Sequence, residues 1–364
     1  METSRIIKAA IIGCGGIAKS KHMPGLATVK NVQMVAFCDI IEERAIESKE
    51  KFGTPDAKVY TDYKELLNDE SIEVVHVLTP NKEHSFITID ALYAGKHVMC
   101  EKPMAKTAAE ARKMVEAAKA TGKKLTIGYQ SRFRPDSLYL KQEAEAGVFG
   151  DIYYAKATAL RRRAVPTWGV FLNEYEQGGG PLIDIGTHAL DLTLWVMNNY
   201  KPKYCVGTTY HKLNQDTNQG NAWGMWDPEK FTVEDSAFGF IVMENGATIV
   251  LESSWALNVA DPREAVTQVC GTLAGADMND GLRLNYIHNN RQVITTPSFN
   301  AGGAAFNDGA STEDAAAMEA RLWIEAVRED KDPFTLPEQA IVVTKILEGI
   351  YESAKTGTVY FFNN

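Results

Sequence analysis

The chain has 364 residues, 45% of them hydrophobic and 23% charged, with a formal net charge of −9. This length allows about two domains with large cores, and the acidic balance excludes a general attraction to nucleic acid or anionic membranes. Five cysteines at wide spacings favour buried free thiols in a reducing compartment. With no signal-peptide pattern and no apolar run near about 18 residues, we expect a cytoplasmic protein.

The first third of the chain alternates short apolar runs with helical patterns. Strands are predicted for the apolar runs at 6–12, 32–38, 74–78, 97–100 and 125–127. Alternation of this kind predicts βαβ units and a parallel sheet, and nearly continuous apolar strands indicate that both faces of the sheet are covered. We therefore expect an α/β fold that begins with a doubly wound Rossmann domain over residues 1–128.

The pattern changes after Gly128, where strands follow one another with few helices between them. These strands are predicted at 152–160, 204–211, 233–243, 248–256 and 266–270. The order predicts an α+β domain with a mostly antiparallel sheet over residues 129–364. Helices are expected at 313–327 and 338–354, and long loops at 212–230 and 300–311.

A glycine-rich turn follows the first predicted strand and opens a helix. Residues 13–18 read Gly-Cys-Gly-Gly-Ile-Ala, a G-x-G-x-x-A pattern. The first glycine permits a tight turn, the second lets the backbone approach a pyrophosphate, and a small third residue allows close helix–strand packing. N–H groups at the helix start would hold the phosphate charge. Glycine-rich turns also occur without a ligand, but this one predicts a dinucleotide site at Gly13, Gly15, Gly16, Ile17 and Ala18.

An acidic residue makes the glycine pattern more specific. Asp39 ends the second strand, 21 residues after Ala18, close to the position expected for the acid that binds the ribose hydroxyls. A carboxylate there attracts the 2′-hydroxyl of NAD and repels the 2′-phosphate of NADP. The alternative is that Asp39 caps the following helix. NAD is predicted as the cofactor because the strand, the glycine turn, the following helix and Asp39 occur together.

Two further segments carry candidate acid–base groups. Lys102, in Glu101-Lys102-Pro103, follows the strand at 97–100, and the carboxyl ends of parallel strands face the ligand crevice. A surface lysine in a turn is the alternative. Asp184 and His188 are four residues apart before an apolar helix, so they share a helix face, and histidine suits proton transfer near neutral pH. A local Asp–His hydrogen bond is the alternative, and two ligands are too few to predict a metal site.

These motifs resemble the glucose–fructose oxidoreductase / inositol dehydrogenase / rhizopine-catabolism (GFO/IDH/MocA) family over nearly the whole chain. The resemblance is carried by GCGGIA at 13–18, Asp39, Thr79-Pro80-Asn81 with His84, EKP at 101–103 and GGGPLIDIGTHALDL at 178–192. It implies a catalytic set in which His188 is the general base, Lys102 binds and polarises the substrate oxygen, and Asp184 orients the substrate. It also implies that the cofactor is lined by Thr79, Pro80, Asn81, His84, Glu101, Lys102 and Gln130.

The resemblance implies an NAD-dependent oxidoreductase acting on a secondary hydroxyl of a sugar, inositol or glycoside. The long segment at 161–173 resembles a branch that oxidises intact glycosides at C3. Arg163 and Trp168 there are candidates for substrate binding, with an interface or surface loop as the alternative. The family's open sheet often forms the subunit interface, so a homo-oligomer is expected.

Two other functions stay open on the sequence. One is a lyase or glycosidase that uses tightly bound NAD transiently, and it differs from a dehydrogenase in making no net NADH. The other is a non-catalytic, sugar-sensing regulator on the same fold, which fold alone does not exclude. Retention of the lysine and the histidine disfavours the regulator.

Overall fold

The computed structural model describes residues 5–215, 220–299 and 313–362. The chain divides into two units, residues 1–130 with 313–341 and residues 131–312 with 342–364. The predicted loop at 300–311 and residues 216–219 of the loop at 212–230 lie outside the described residues.

A six-stranded sheet forms the centre of the first unit. Its strands are β1 (Ile7–Ile12), β2 (Val32–Cys38), β3 (Lys58–Tyr60), β4 (Val74–Val77), β5 (His97–Cys100) and β6 (Leu125–Ile127). They lie in the order β3-β2-β1-β4-β5-β6, and every neighbouring pair is parallel. The helices are α1 (Met23–Thr28), α2 (Glu42–Phe52), α3 (Tyr63–Leu67), α4 (Asn81–Tyr93) and α5 (Ala108–Thr121). The predicted Rossmann sheet is therefore confirmed, and its strand order reverses between β1 and β4, where doubly wound sheets bind ligands.

A nine-stranded sheet forms the second unit. Its strands are β7 (Ile152–Leu160), β8 (Pro202–Tyr210), β9 (Ser236–Met243), β10 (Thr248–Ser254), β11 (Val266–Gly271), β12 (Ala274–Asp277), β13 (Arg283–His288), β14 (Arg291–Thr295) and β15 (Tyr360–Phe361). They lie in the order β14-β13-β12-β11-β7-β10-β9-β8-β15. The β7–β10 pair is parallel and the other ladders are antiparallel, which confirms the predicted mostly antiparallel sheet. The remaining helices are α6 (Pro135–Glu145), α7 (Glu174–Gln177), α8 (Thr187–Met197), α9 (Ala315–Arg328) and α10 (Pro337–Thr356).

Helix α9 lies with the first unit, whereas the sequence predicted a single second domain over 129–364. The helix packs on α1 so closely that a Cβ at Gly25 would stand 2.7 Å from the Ala316 carbonyl oxygen and 3.4 Å from the Ala320 Cβ. Trp323 and Ile324 of α9 are buried in the core of this unit. Contacts between helices almost 300 residues apart leave no local pattern, which is why the sequence did not indicate them.

All five cysteines are free thiols, four of them buried, as the sequence predicted. In the described part of the chain, no helix has the length and apolarity needed to cross a membrane.

Candidate functional site

The glycine turn joins β1 to a helix that begins with a π-helical turn, Ala18–His22, and continues as α1. Gly13 has a φ of +92°, and a Cβ there would stand 2.7 Å from the Leu78 carbonyl carbon, so the turn requires glycine. At Gly15 and Gly16, in contrast, an added Cβ would meet no atom within 4 Å. The backbone of the turn therefore faces open space, as a pyrophosphate-binding loop needs.

Asp39 holds the glycine turn against the end of β2. One carboxylate oxygen accepts a 2.8 Å hydrogen bond from the Cys14 N–H, and the other accepts a 2.9 Å bond from the Ile41 N–H. The N-cap of α2 is Ile41, so the alternative in which Asp39 caps that helix is wrong. Each carboxylate oxygen keeps a second lone pair that can accept a hydrogen bond from a ribose hydroxyl. The open turn and this acid fit the nucleotide half of NAD.

The Thr79–His84 segment follows β4 and begins α4. The buried His84 ring lies between two strand ends, with Nε2 2.9 Å from the Thr79 carbonyl oxygen and Nδ1 2.8 Å from that of Pro103. Burial lowers the pKa of His84. His84 thus connects the segment carrying Pro80 and Asn81 to the EKP turn. Gln130 is exposed and begins a short 3-10 helix, Gln130–Phe133.

Glu101 is the centre of a buried charge cluster beneath Lys102. Its Oε1 lies 2.9 Å from the Lys21 Nζ and 2.8 Å from the His22 Nε2, while its Oε2 accepts a 2.9 Å bond from the Lys102 N–H. Lys21 also pairs with Glu319 of α9 at 2.8 Å. We call Lys21, His22, Glu101 and Glu319 the Glu101 cluster.

The charges in this cluster determine how Glu101 titrates. Burial by itself raises the pKa of Glu101, but the positive charge of Lys21 and the hydrogen bond and charge of His22 hold it well below the usual range. Glu101 is therefore a carboxylate at neutral pH, and as such it accepts the backbone bond that fixes the start of the Lys102 turn. Lys102 itself is half-buried.

Asp184 and His188 lie on consecutive helical turns of the second unit. Asp184 belongs to a π-helical turn, Leu182–Gly186, and His188 to the first turn of α8. The predicted helix is present, but it starts with this wider turn. The Trp255 Nε1–H donates a 3.0 Å hydrogen bond to the Asp184 Oδ2, which orients that carboxylate. His188 is 8% exposed.

A second buried glutamate supports the start of this helix. Glu234 accepts hydrogen bonds from the Gly180 N–H at 2.8 Å, the Leu182 N–H at 3.1 Å and the Tyr351 hydroxyl at 2.8 Å. A Cβ at Gly180 would stand 2.1 Å from the Glu234 carbonyl oxygen, so glycine is needed for this approach. Burial raises the pKa of Glu234 to about 7.

An ion pair anchors α8 about one turn after His188. Arg132 forms two hydrogen bonds to Asp191, at 2.8 and 2.6 Å, and both side chains are fully buried. The Arg132 guanidinium also lies over the Trp195 ring, 5.6 Å from its centre. This pair attaches the 3-10 helix Gln130–Phe133 to the helix that carries His188.

The segment at 161–173 forms part of the second unit. Arg163 has a φ of +50°, and its carbonyl accepts a 2.9 Å bond from the Ala222 N–H. Trp168 is 50% exposed and contacts the Trp223 and Phe171 rings. Both predicted substrate residues therefore belong to a loop packed against the segment that follows residue 220.

The structure groups the predicted residues by unit. The first unit brings together the glycine turn with Asp39, and the Thr79–His84 segment with the EKP turn. The second unit holds the Asp184 and His188 helix and the Trp168 loop. The partnership of Lys102 with that helix remains a prediction, since the residues belong to different units.

The sequence did not indicate the residues that support these groups: Lys21, His22, Glu319, Arg132, Asp191, Glu234, Tyr351, Trp223 and Trp255. Asp191 had a usable signal, because a charged residue inside an apolar helix is expected to be buried with a partner. Glu234 and Glu319 had none, because their partners are distant in sequence.

A Rossmann sheet with an open glycine turn and a carboxylate after β2 is the arrangement of a nucleotide-dependent oxidoreductase. Residues 7–129 match the model of the GFO/IDH/MocA oxidoreductase family with an NAD-binding Rossmann fold, and residues 137–276 match the family's C-terminal domain. The chain belongs to the GFO/IDH/MocA family and is an NAD-binding oxidoreductase.

Two curated relatives illustrate the range of the family. The chain is 36% identical to D-glucoside 3-dehydrogenase of Escherichia coli K12 over 98% of this chain and 97% of that protein. It is 35% identical to inositol 2-dehydrogenase of Salmonella typhimurium LT2 over 54% of this chain and 56% of that protein.

Solved structures share the fold at lower sequence identity. Levoglucosan dehydrogenase in complex with NADH and levoglucosan has a TM-score of 0.84 at 21% identity, covering 99% of this chain and 100% of that one. Aldose-aldose oxidoreductase from Caulobacter crescentus in complex with glycerol has a TM-score of 0.80 at 22% identity, covering 98% of this chain and 100% of that one. At these identities the similarity concerns the fold alone.

Proposed function

We propose that this protein oxidises a secondary hydroxyl on the sugar ring of a glycoside, with C3 of a D-glucoside as the preferred position, and forms NADH. The observation that carries this proposal is the full-length similarity to D-glucoside 3-dehydrogenase. That similarity extends through both units, whereas the similarity to inositol 2-dehydrogenase covers about half of the chain. We therefore favour a glycoside over an inositol.

In the proposed reaction, NAD supplies the acceptor for the hydride that leaves the sugar carbon. We assign removal of the hydroxyl proton to His188, the side chain in the set best suited to accept it near neutral pH. Lys102 donates hydrogen bonds to the same oxygen and stabilises the negative charge that grows on it as the proton leaves. Asp184, oriented by Trp255, accepts a hydrogen bond from a neighbouring sugar hydroxyl. The products are a ketosugar, NADH and a proton.

We assign cofactor binding to residues of the first unit. The N–H groups of the open glycine turn would bind the pyrophosphate, and Asp39 would accept hydrogen bonds from the adenosine ribose. Residues at the ends of β4 and β5, among them Thr79, Asn81 and Glu101, would line the rest of the dinucleotide. Their position at the carboxyl ends of parallel strands supports this assignment.

A substrate panel tests the proposal directly. The purified protein is incubated with NAD and glucosides, free sugars or inositols, NADH is followed by absorbance, and products are identified by mass spectrometry and NMR. We expect net NADH with glucosides and a ketone at C3. Release of aglycone without net NADH would instead favour the lyase or glycosidase alternative. No reaction with any glucoside contradicts the proposal.

We also propose that two copies of the chain associate through the open face of the second sheet. Val206 and Phe240 are paired across β8 and β9, and their side chains are 42% and 47% exposed. Exposed apolar neighbours on a sheet face favour burial against a second copy. Phe240→Lys should lower the molar mass measured by light scattering, whereas Tyr153→Lys, at an exposed aromatic residue elsewhere, should not. An unchanged mass in the Phe240 variant contradicts this interface.

A further inference from the structure

Two half-exposed tryptophans lie in contact in the second unit. Trp168 is 50% exposed and Trp223 is 44% exposed, with ring centres 4.9 Å apart and planes at 88°. Phe171 contacts Trp168 at 5.8 Å, also edge to face. We call Trp168 and Trp223 the indole platform. Contiguous exposed aromatic surface is uncommon on soluble proteins and marks sites of interaction.

Hydrogen bonds between two loops fix the platform before any ligand binds. The Asn221 side chain accepts a 2.8 Å bond from the Val165 N–H and donates a 3.0 Å bond to the Val165 carbonyl. The Thr167 hydroxyl donates to the Trp223 carbonyl, and the Ala222 N–H donates to the Arg163 carbonyl. Because these bonds join the two loops next to both indoles, little loop entropy remains to be lost on binding.

The same loop is attached to the strand end that supports Asp184. The Arg161 N–H donates to the Ser254 carbonyl at 2.8 Å, and the Ala164 N–H donates to the Trp255 carbonyl at 2.9 Å. Trp255 is the residue whose indole N–H orients Asp184.

Arg161 connects the platform to Glu264. Its guanidinium lies 5.4 Å from the centre of the Trp223 ring and makes two hydrogen bonds to Glu264, at 2.6 and 2.7 Å. The hydrogen bond and charge of Glu264, together with the charge of Asp184, outweigh burial and raise the pKa of Arg161. The loop that carries Trp168 is thus connected to the carboxylate that we assign to the sugar through Trp255, whose carbonyl accepts the Ala164 N–H and whose indole N–H donates to Asp184.

We propose that the indole platform binds the aglycone of the glycoside, and that it selects aglycones that are rings. An indole face stacks on an aryl ring or on the C–H face of a second sugar, and a free sugar or a methyl glycoside has no ring at the aglycone position to make either contact. This inference rests on the proposed function, because it assumes that the oxidised sugar lies at Asp184.

The test compares substrates that differ only in the aglycone. Phenyl glucosides and cellobiose carry a ring, whereas methyl glucosides do not, and both anomers are measured. We expect Trp168→Ala and Trp223→Ala each to raise KM for the ring-bearing substrates about five- to tenfold, with kcat within about twofold. KM for methyl glucosides should change by less than about twofold. Trp168→Phe and Trp223→Phe, which keep a ring, should restore most of the affinity.

Tyr153→Ala is the matched control. Tyr153 is 58% exposed and lies near the start of β7, at the opposite end of that strand from Arg161, a separation of about 25 Å. The Tyr153→Ala variant should have the wild-type KM for every substrate. Melting temperatures of all variants are measured, and the phenylalanine variants retain the test if an alanine variant does not fold.

Three results overturn the inference. If the alanine variants raise KM equally for methyl and phenyl glucosides, the tryptophans act on the oxidised sugar or on the fold. If KM is unchanged for all substrates, the tryptophans do not take part in binding. A lower oligomer mass with unchanged KM would make the platform a subunit contact.

Failure of the proposed function gives a different pattern. If the wild-type protein forms no NADH from any glucoside, quenching of tryptophan fluorescence by phenyl glucoside tests the platform separately. Quenching that is lost in both alanine variants supports ring binding without turnover, and its absence overturns the inference.

Discussion

Two buried glutamates, one in each unit, hold the backbone beside a proposed catalytic residue, yet their pKa values move in opposite directions. Glu101 accepts the Lys102 N–H and also contacts the Lys21 ammonium and the His22 ring, and its pKa lies well below the usual range. Glu234 accepts two backbone N–H groups and the Tyr351 hydroxyl, and burial raises its pKa to about 7. The pKa of a buried glutamate in this structural role thus depends on whether a cation such as Lys21 lies beside its carboxylate.

This difference gives the two glutamates opposite contributions to the pH dependence of stability. Glu101 contributes stability that is fully present above its unfolded pKa, near 4.5, and is lost as the pH falls towards its folded pKa. Glu234 binds a proton more tightly in the folded state, so its contribution is largest below pH 4.5 and decreases as the pH rises to about 7.

The largest expected effect is on turnover, and it comes from changing the residues whose backbone segments the two glutamates support. We place these residues, Lys102 in the first unit and His188 in the second, in the chemistry of the reaction. Lys102→Met should lower turnover by roughly 10²–10⁴-fold, and His188→Ala, its counterpart in the second unit, should do the same. NAD affinity and melting temperature should stay close to wild type. Lys113→Met and His288→Ala, at exposed positions, are the controls. A variant that keeps a third of wild-type turnover would place that residue outside the mechanism.

Replacing Lys21 tests how much its charge stabilises the Glu101 cluster. Lys21→Met would leave the carboxylates of Glu101 and Glu319 buried together without Lys21, at a cost of about 3–5 kcal/mol in the free energy of unfolding. Lys19→Met, which removes a surface pair with Glu47, should cost less than about 1 kcal/mol. Urea denaturation of the three proteins measures both differences. Equal losses in the free energy of unfolding for the two variants would show that the buried position of Lys21 adds nothing to its contribution to stability.

The raised pKa of Glu234 is tested by the pH dependence of the free energy of unfolding. Between pH 4.5 and about 7 the contribution of Glu234 should decrease by about 3 kcal/mol, since a pKa unit corresponds to about 1.4 kcal/mol. Glu234→Gln removes this titration, so its stability relative to wild type should improve as the pH rises across that range. The exposed Glu229→Gln should follow the wild-type curve. Parallel curves for Glu234→Gln and wild type would contradict the assignment.

The smallest effect concerns a third carboxylate, Asp39, which like Glu234 accepts backbone N–H groups but also faces the cofactor in our proposal. The wild-type protein should prefer NAD over NADP by at least about tenfold, or ~1.4 kcal/mol, and Asp39→Ser should narrow this preference. Calorimetric titration with each cofactor measures both values. Equal affinities in the wild-type protein would remove Asp39 from ribose recognition.

The sequence by itself determined the order of elements, the parallel and antiparallel classes of the two sheets, and the glycine turn with Asp39. These features are encoded locally: apolar periodicity specifies strands and helices, and the tight turn at Gly13 needs glycine within a few residues. The GFO/IDH/MocA motifs were recognisable for the same reason, since each lies within one short segment.

Only the tertiary structure decided which side chains support these segments. It assigned α9 to the first unit, brought Glu319 to Lys21 and Tyr351 to Glu234, and packed the Trp168 loop against Trp223. The partners in these contacts are between 55 and 298 residues apart in the chain. Burial and hydrogen bonding over such separations depend on how the sheets and helices pack, and no periodicity or spacing in the sequence encodes that packing.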